Sequence, residues 1–103
     1  LKLGISIKIR KIIKVNDFPK ARKPAYQLHI DFGDLGIKKS SAQITTLYKK
    51  EDLIGKQIVA VVNFPEKQIA NFMSYCLLLG AVDGKDVILL NPEGKVKNGS
   101  IVS

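Results

Sequence analysis

The sequence holds one cysteine, one histidine, one methionine and no tryptophan. A lone Cys76 excludes a disulfide within the chain. With His29 as the only histidine, no Cys/His metal cluster can be assembled either. There is no glycine-rich phosphate loop, no Ser/His/Asp or Cys/His set, and no carboxylate pair spaced for acid–base work. The adjacent Glu51 and Asp52 fall on a predicted helix, where sequence neighbours diverge. An enzyme is therefore the weakest class, and neither a metal nor a cofactor is expected. No apolar run approaches the roughly 20 residues that span a bilayer as a helix. No secretory signal pattern opens the chain. The expectation is a cytoplasmic protein without membrane insertion; a start at Leu1 instead of Met leaves room for missing native N-terminal residues.

What the sequence has in excess is positive charge. Lys and Arg number 17 against 9 Asp and Glu, a formal net charge of +8. Lys2, Lys8, Arg10, Lys11, Lys14, Lys20, Arg22 and Lys23 crowd the first quarter against Asp17 alone. Such a balance favours a polyanionic partner over solubility alone. At 103 residues, 46% of them hydrophobic, residues 1–103 are expected to form one domain with one core and no staples.

The stretch from Gln57 to Gly80 organises the rest. Ile58–Val62 and Cys76–Leu79 read as short buried strands, with Cys76 a small buried residue. Between them residues 63–74 read as a loop that mixes Asn63, Lys67, Gln68, Asn71 and Ser74 with Phe64, Ile69, Phe72 and Met73. Loops lie in water, so these apolar side chains must cap a core or meet a partner.

In chain order, residues 4–15 alternate as a first strand, with Ile5, Ile7 and Ile9 on one face and Ser6, Lys8 and Arg10 on the other. The alternation slips at Lys11–Ile13, where a bulge would bend the strand as a small barrel requires. Asn16–Pro24 is a loop that displays Phe18 among Lys20, Arg22 and Lys23. Tyr26–Phe32 alternates cleanly, with His29 on its polar face as a solvated residue. Gly33–Gly36 marks a turn into a third strand over residues 37–44. Thr45 or Thr46 can cap a short helix that stops at Gly55. The fourth strand is Gln57–Val62, the fifth about Tyr75–Ala81, and a further strand at Val87–Leu90 follows the Asp83–Asp86 turn. Val96–Val102 returns as an edge segment. The fold class is all-β: a five-stranded Greek-key OB-fold barrel with a short helix between strands three and four.

The chain also resembles the tRNA-binding domain family, and within it the CsaA export-chaperone branch. The resemblance rests on residues 17–26, 36–45, 53–57, 59–65, 68–70 and 72–74, on Leu77 and Leu79–Val82, and on the tail Asn98–Gly99. It implies an OB barrel and a homodimer. It places Asn63, Lys67 and Ser74 on the family's binding loop. It implies tRNA as one partner, and unfolded or presecretory polypeptides, with the export motor, as others. Ser74 is followed here by Tyr75-Cys76-Leu77 where the tRNA-binding branch has Gln-Gly-Met, and Ala42-Gln43 stands where it has Ser-Gly. Both differences favour the chaperone branch.

Two functions follow. For RNA, Arg22, Lys23, Lys38, Lys39 and Lys67 would track phosphates, Asn63, Gln68 and Ser74 would hydrogen-bond to sugar or base edges, and Phe18 or Phe72 could stack on a base. For polypeptides, Phe18, Phe64, Ile69, Phe72 and Met73 would form an apolar pocket. The alternative for these apolar residues is burial in a dimer interface or at the barrel end.

Overall fold

Strands pair where the sequence alternates or runs apolar, and their order builds the barrel. The computed structural model describes residues 4–63 and 65–103, and of Lys67 the backbone. β1 (Ile7–Asp17), β2 (Tyr26–Asp31), β3 (Ile37–Ala42), β4 (Gln57–Val61) and β7 (Leu77–Leu78) form a 5-stranded antiparallel sheet in the order β3-β2-β1-β4-β7. The sheet curls into a nearly closed barrel. The Tyr75 amide donates to the Lys39 carbonyl at 2.7 Å and brings the chain before β7 back to β3.

β1 is the strand that turns the corner. Its first half, Ile7–Lys11, pairs with β4, and its second half, Lys11–Asp17, pairs with β2. The β2 register shifts between Ile12 and Lys14, so the expected bulge falls at Ile13. The face assignment before the bulge differs from expectation. Arg10 lies opposite Ile58, a core residue with no exposure, so Arg10 points inward and Ile9 outward. Both are buried, while Ile5 is exposed. Arg10 is tolerated inside because its guanidinium carbon sits 4.5 Å from the Phe32 ring centroid. Ile9 is covered because residues 99–102 run along the edge that β2 leaves free, with the Ile9 amide donating to the Ser100 carbonyl at 2.8 Å. The expected edge segment is thus present.

Ile12, Leu28, Ile30, Leu53 and Ile58 are fully enclosed at the centre of the core. Each stabilises the fold by about 2 kcal/mol over an exposed position. The helix is shorter than predicted. α1 covers Lys50–Leu53, and neither Thr45 nor Thr46 caps it. Residues 45–47 form a turn instead, and Tyr48 after it ties two strands together. Its carbonyl accepts from the Tyr26 hydroxyl at 2.8 Å, and its own hydroxyl accepts from the Leu89 amide at 2.9 Å. Gly55, at φ 86, ends the helical segment as expected, with its amide bound to the Ile12 carbonyl at 2.7 Å.

Two further differences shape the surface. Residues 63–74 contain a hairpin, β5 (Lys67–Ile69) paired with β6 (Phe72–Ser74). The predicted fifth strand is divided: β7 ends at Leu78, and β8 (Gly80–Asp83) leaves to pair with β9 (Asp86–Leu89). Gly80 permits the departure. A Cβ there would stand 2.6 Å from Val87 Cγ1 and 3.0 Å from the Ile88 carbonyl oxygen.

Candidate functional site

A groove of about 920 Å³ opens where the β1–β2 loop, the far end of β3, the β5–β6 hairpin, β7 and β9 converge. OB barrels place ligands against this combination of strand and loops. Ala42, Ile44, Leu77, Leu78, Val87 and Leu89 supply an apolar floor, and Phe18, Ala25 and Ile69 supply one wall. Lys20, Arg22 and Lys23 stand along the β1–β2 loop, and Gln43 and Gln68 add amides; no carboxylate lines the groove among the described residues. The loop is held by Phe18, whose ring lies 5.3 Å from that of Phe72 at a 56° tilt, in a small cluster with Ala25. The groove can therefore hold an apolar segment against its floor and an anionic group against the loop.

The residues expected from sequence divide by position. Arg22, Lys23 and Gln68 from the RNA set share this one groove with Phe18 and Ile69 from the polypeptide set. Phe72 lies beneath, buried, and has no ring face free for a base; Met73 is half-buried on the other side of the hairpin, opposite Gln68. Lys38 and Lys39 part company. Lys38 shares its face with the buried Ser40, and its ammonium sits 5.6 Å from the Tyr75 ring, beside a pocket of about 180 Å³ with Phe32 and Glu66. Lys39 takes the outer face, 5.3 Å from the Phe72 ring.

Two expected hydrogen-bonding residues are already engaged by the fold. Asn63 clamps the N-terminal segment: its Oδ1 accepts from the Ser6 amide at 2.8 Å, and its Nδ2 donates to the Gly4 carbonyl at 2.7 Å. Ser74 is buried, with its hydroxyl 3.4 Å from both Ser40 Oγ and the Cys76 carbonyl. Ser40 itself donates to that carbonyl at 2.8 Å. Phe64 and the Lys67 side chain lie outside the described residues.

Sequence reading did not single out Ile44, Leu77, Leu78, Val87 or Leu89 as groove residues. Each looks like an ordinary strand residue, and only the division of the fifth strand opens the floor. Lys20 belongs to the same cationic run as Arg22 and carries that signal. Burial pushes the Cys76 thiol up to about 11, so it stays protonated and inert at neutral pH. Burial, then Lys14, then Lys39 hold His29 below its ordinary value.

Comparison with known proteins converges on one family. The family described as "Putative tRNA binding domain" matches residues 7–101, the whole of the barrel. The crystal structure of the chaperone CsaA from Bacillus anthracis superposes with a TM-score of 0.90 at 51% identity, over 96% of this chain and 91% of that one. That of the CsaA chaperone from Picrophilus torridus gives 0.89 at 53% identity, over 97% and 92%. Methionine–tRNA ligase from Thermococcus kodakarensis is 35% identical over 96 residues, which is 93% of this chain but 13% of the ligase. The chain thus spans a small fraction of the curated relatives it matches, yet nearly all of the two chaperone chains. It belongs to the tRNA-binding domain family and, within it, to the CsaA branch.

Proposed function

We propose that this protein is a polypeptide-binding chaperone that takes extended apolar segments of unfolded or presecretory chains into the groove between the Phe18 loop and the β5–β6 hairpin. The groove is the observation that carries the reading. It is about 920 Å³ and floored by six aliphatic residues, which matches ligand sites that recognise shape and apolar area. Its lysines and arginine would hold a neighbouring carboxylate or chain terminus of the client. Val82, Ile88 and Leu90 stand exposed on and just after the β8–β9 ribbon, whose Val87 and Leu89 line the groove. An apolar ribbon of this kind supports a homodimer that would bring two grooves together and raise avidity for one long client. The protein would act in the cytoplasm and pass clients to the export motor.

A second reading, tRNA binding, is favoured by a net charge of +8 and by a groove that holds three cations and no carboxylate among its described lining. Phosphate contact predicts an affinity that falls steeply with salt, whereas apolar capture does not. One salt series separates the two, run on the dimer with an unfolded preprotein segment and with unfractionated tRNA. Ile69→Asp should weaken the polypeptide roughly tenfold and tRNA by less. Arg22→Glu with Lys23→Glu should weaken tRNA more than the polypeptide. If Ile69→Asp and Leu77→Asp both leave polypeptide affinity intact in folded protein, the groove is not the client site.

A further inference from the structure

The outer face of β1, β2 and β3 carries a group of cations that the groove does not use. β2 lies between the other two strands, and the register sets Lys14 opposite His29 and His29 opposite Lys39. Directly opposed residues point to one face. The three side chains therefore form one row across three strands, on the side away from core-facing Leu28 and Ile30. The stems of Lys14 and Lys39 start about 10 Å apart, two strand spacings. Opposed like charges weaken a sheet, and this row has no acid of its own. The next row on one side, Asn16–Gln27–Ser41, is uncharged and made of hydrogen-bonding groups. The next on the other side is Lys11–Asp31–Ile37, where the Asp31 carboxylate already accepts from the Gly33 amide at 2.8 Å.

We propose that the Lys14–His29–Lys39 row is a binding site for the phosphate backbone of RNA, and that His29 takes up a proton as a phosphate seats between the two lysines. The inference rests on the tRNA-binding reading and adds a second surface to it. The two surfaces join at Ser41, which belongs to the polar row and also lines the groove. In the free protein, burial and the two lysines keep His29 neutral at neutral pH. Asp31, two residues along β2, and Lys11 opposite it are the other charged residues that these three strands set on this face among the described residues. A phosphodiester oxygen shifts the balance: its negative charge offsets part of the field of the two lysines and favours an imidazolium that donates from its ring nitrogens. Proton uptake and RNA binding are then reciprocally linked. Affinity must rise as pH falls through the interval between the free and bound values of His29.

His29 is the only histidine, so its imidazole resonances in tag-free protein report this site alone. The experiment titrates them by NMR with and without unfractionated tRNA, and measures tRNA affinity near neutral and near mildly acidic pH at fixed salt. The imidazole titration should move upward when tRNA binds, and affinity should rise about three- to tenfold at the lower pH, as an upward move of about half to one pKa unit requires. His29→Gln should abolish that rise, and Lys14→Glu should weaken binding at both pH values. If tRNA binds but the imidazole titration and the pH dependence stay flat, the outer-face site is overturned and the RNA reading survives on Arg22 and Lys23. If tRNA binds at no pH, even at low salt, both fall together.

Discussion

β5 and β6 are the two strands of one hairpin, three residues each, yet one is seated against the barrel and the other borders the groove. β6 is locked in place: Phe72 and Ser74 are buried, and the Tyr75 amide that follows closes the barrel on the Lys39 carbonyl. β5 pairs with β6 alone, its Gln68 is exposed, and its Ile69 borders the groove. The difference is one of distance from β3, not of composition. A groove wall of this kind combines a fixed strand that sets position with a second strand that is held by its hairpin partner.

The contrast is open to attack at its strongest point first. Phe72→Ala removes the ring that holds both the hairpin and the Phe18 loop, and should cost about 3 kcal/mol in urea unfolding. A loss well under 1 kcal/mol would mean that β6 is not part of the core. Ser40→Ala should cost about 1–2 kcal/mol, because it leaves the Cys76 carbonyl, buried beneath the same strand, with one good donor fewer. Ile69→Asp on β5 should cost less than about 1 kcal/mol of stability, as a partly exposed position allows. Its main effect should appear in polypeptide affinity. Equal stability losses at positions 69 and 72 would abolish the distinction between the two strands.

The barrel was largely legible because its signals are local. Alternation in Tyr26–Phe32, the apolar run at Ile58–Val62 and the slip at Lys11–Ile13 each report a strand or a bend from a few neighbouring residues. The site was legible only in part, because faces and partners are not local. Lys38 and Lys39 are adjacent in sequence and so point to opposite sides of β3. Asn63 looked like a free donor, yet its partners are backbone groups of Gly4 and Ser6, far away along the chain. Arg10 looks solvated in the alternation, but it shares the inward face of Ile12, and the ring that shelters it is that of Phe32, just past the end of β2. Sequence leaves both burial and ligand contact open to the loop phenylalanines, and Phe18 and Phe72 are buried through contact with each other.

The smallest test concerns the turn between the two strands. Ala70 has φ 53, the one non-glycine residue with positive φ among the described residues. A side chain in that region costs about 1–2 kcal/mol against a Cβ clash. Ala70→Gly removes the clash but gives the unfolded chain more freedom, which returns about 0.4–1 kcal/mol to the unfolded state. The net expectation is a stability gain of about 0.5 kcal/mol in urea unfolding, with tRNA affinity unchanged. Polypeptide affinity is the sharper measure. Ala70 lines the groove beside Ile69, so a looser turn would leave β6 seated and weaken capture by β5 about twofold. A variant that loses stability instead would show that the turn is held by its alanine contacts and not strained by them. The two strands would then be one rigid body, and the division of labour between them would fail.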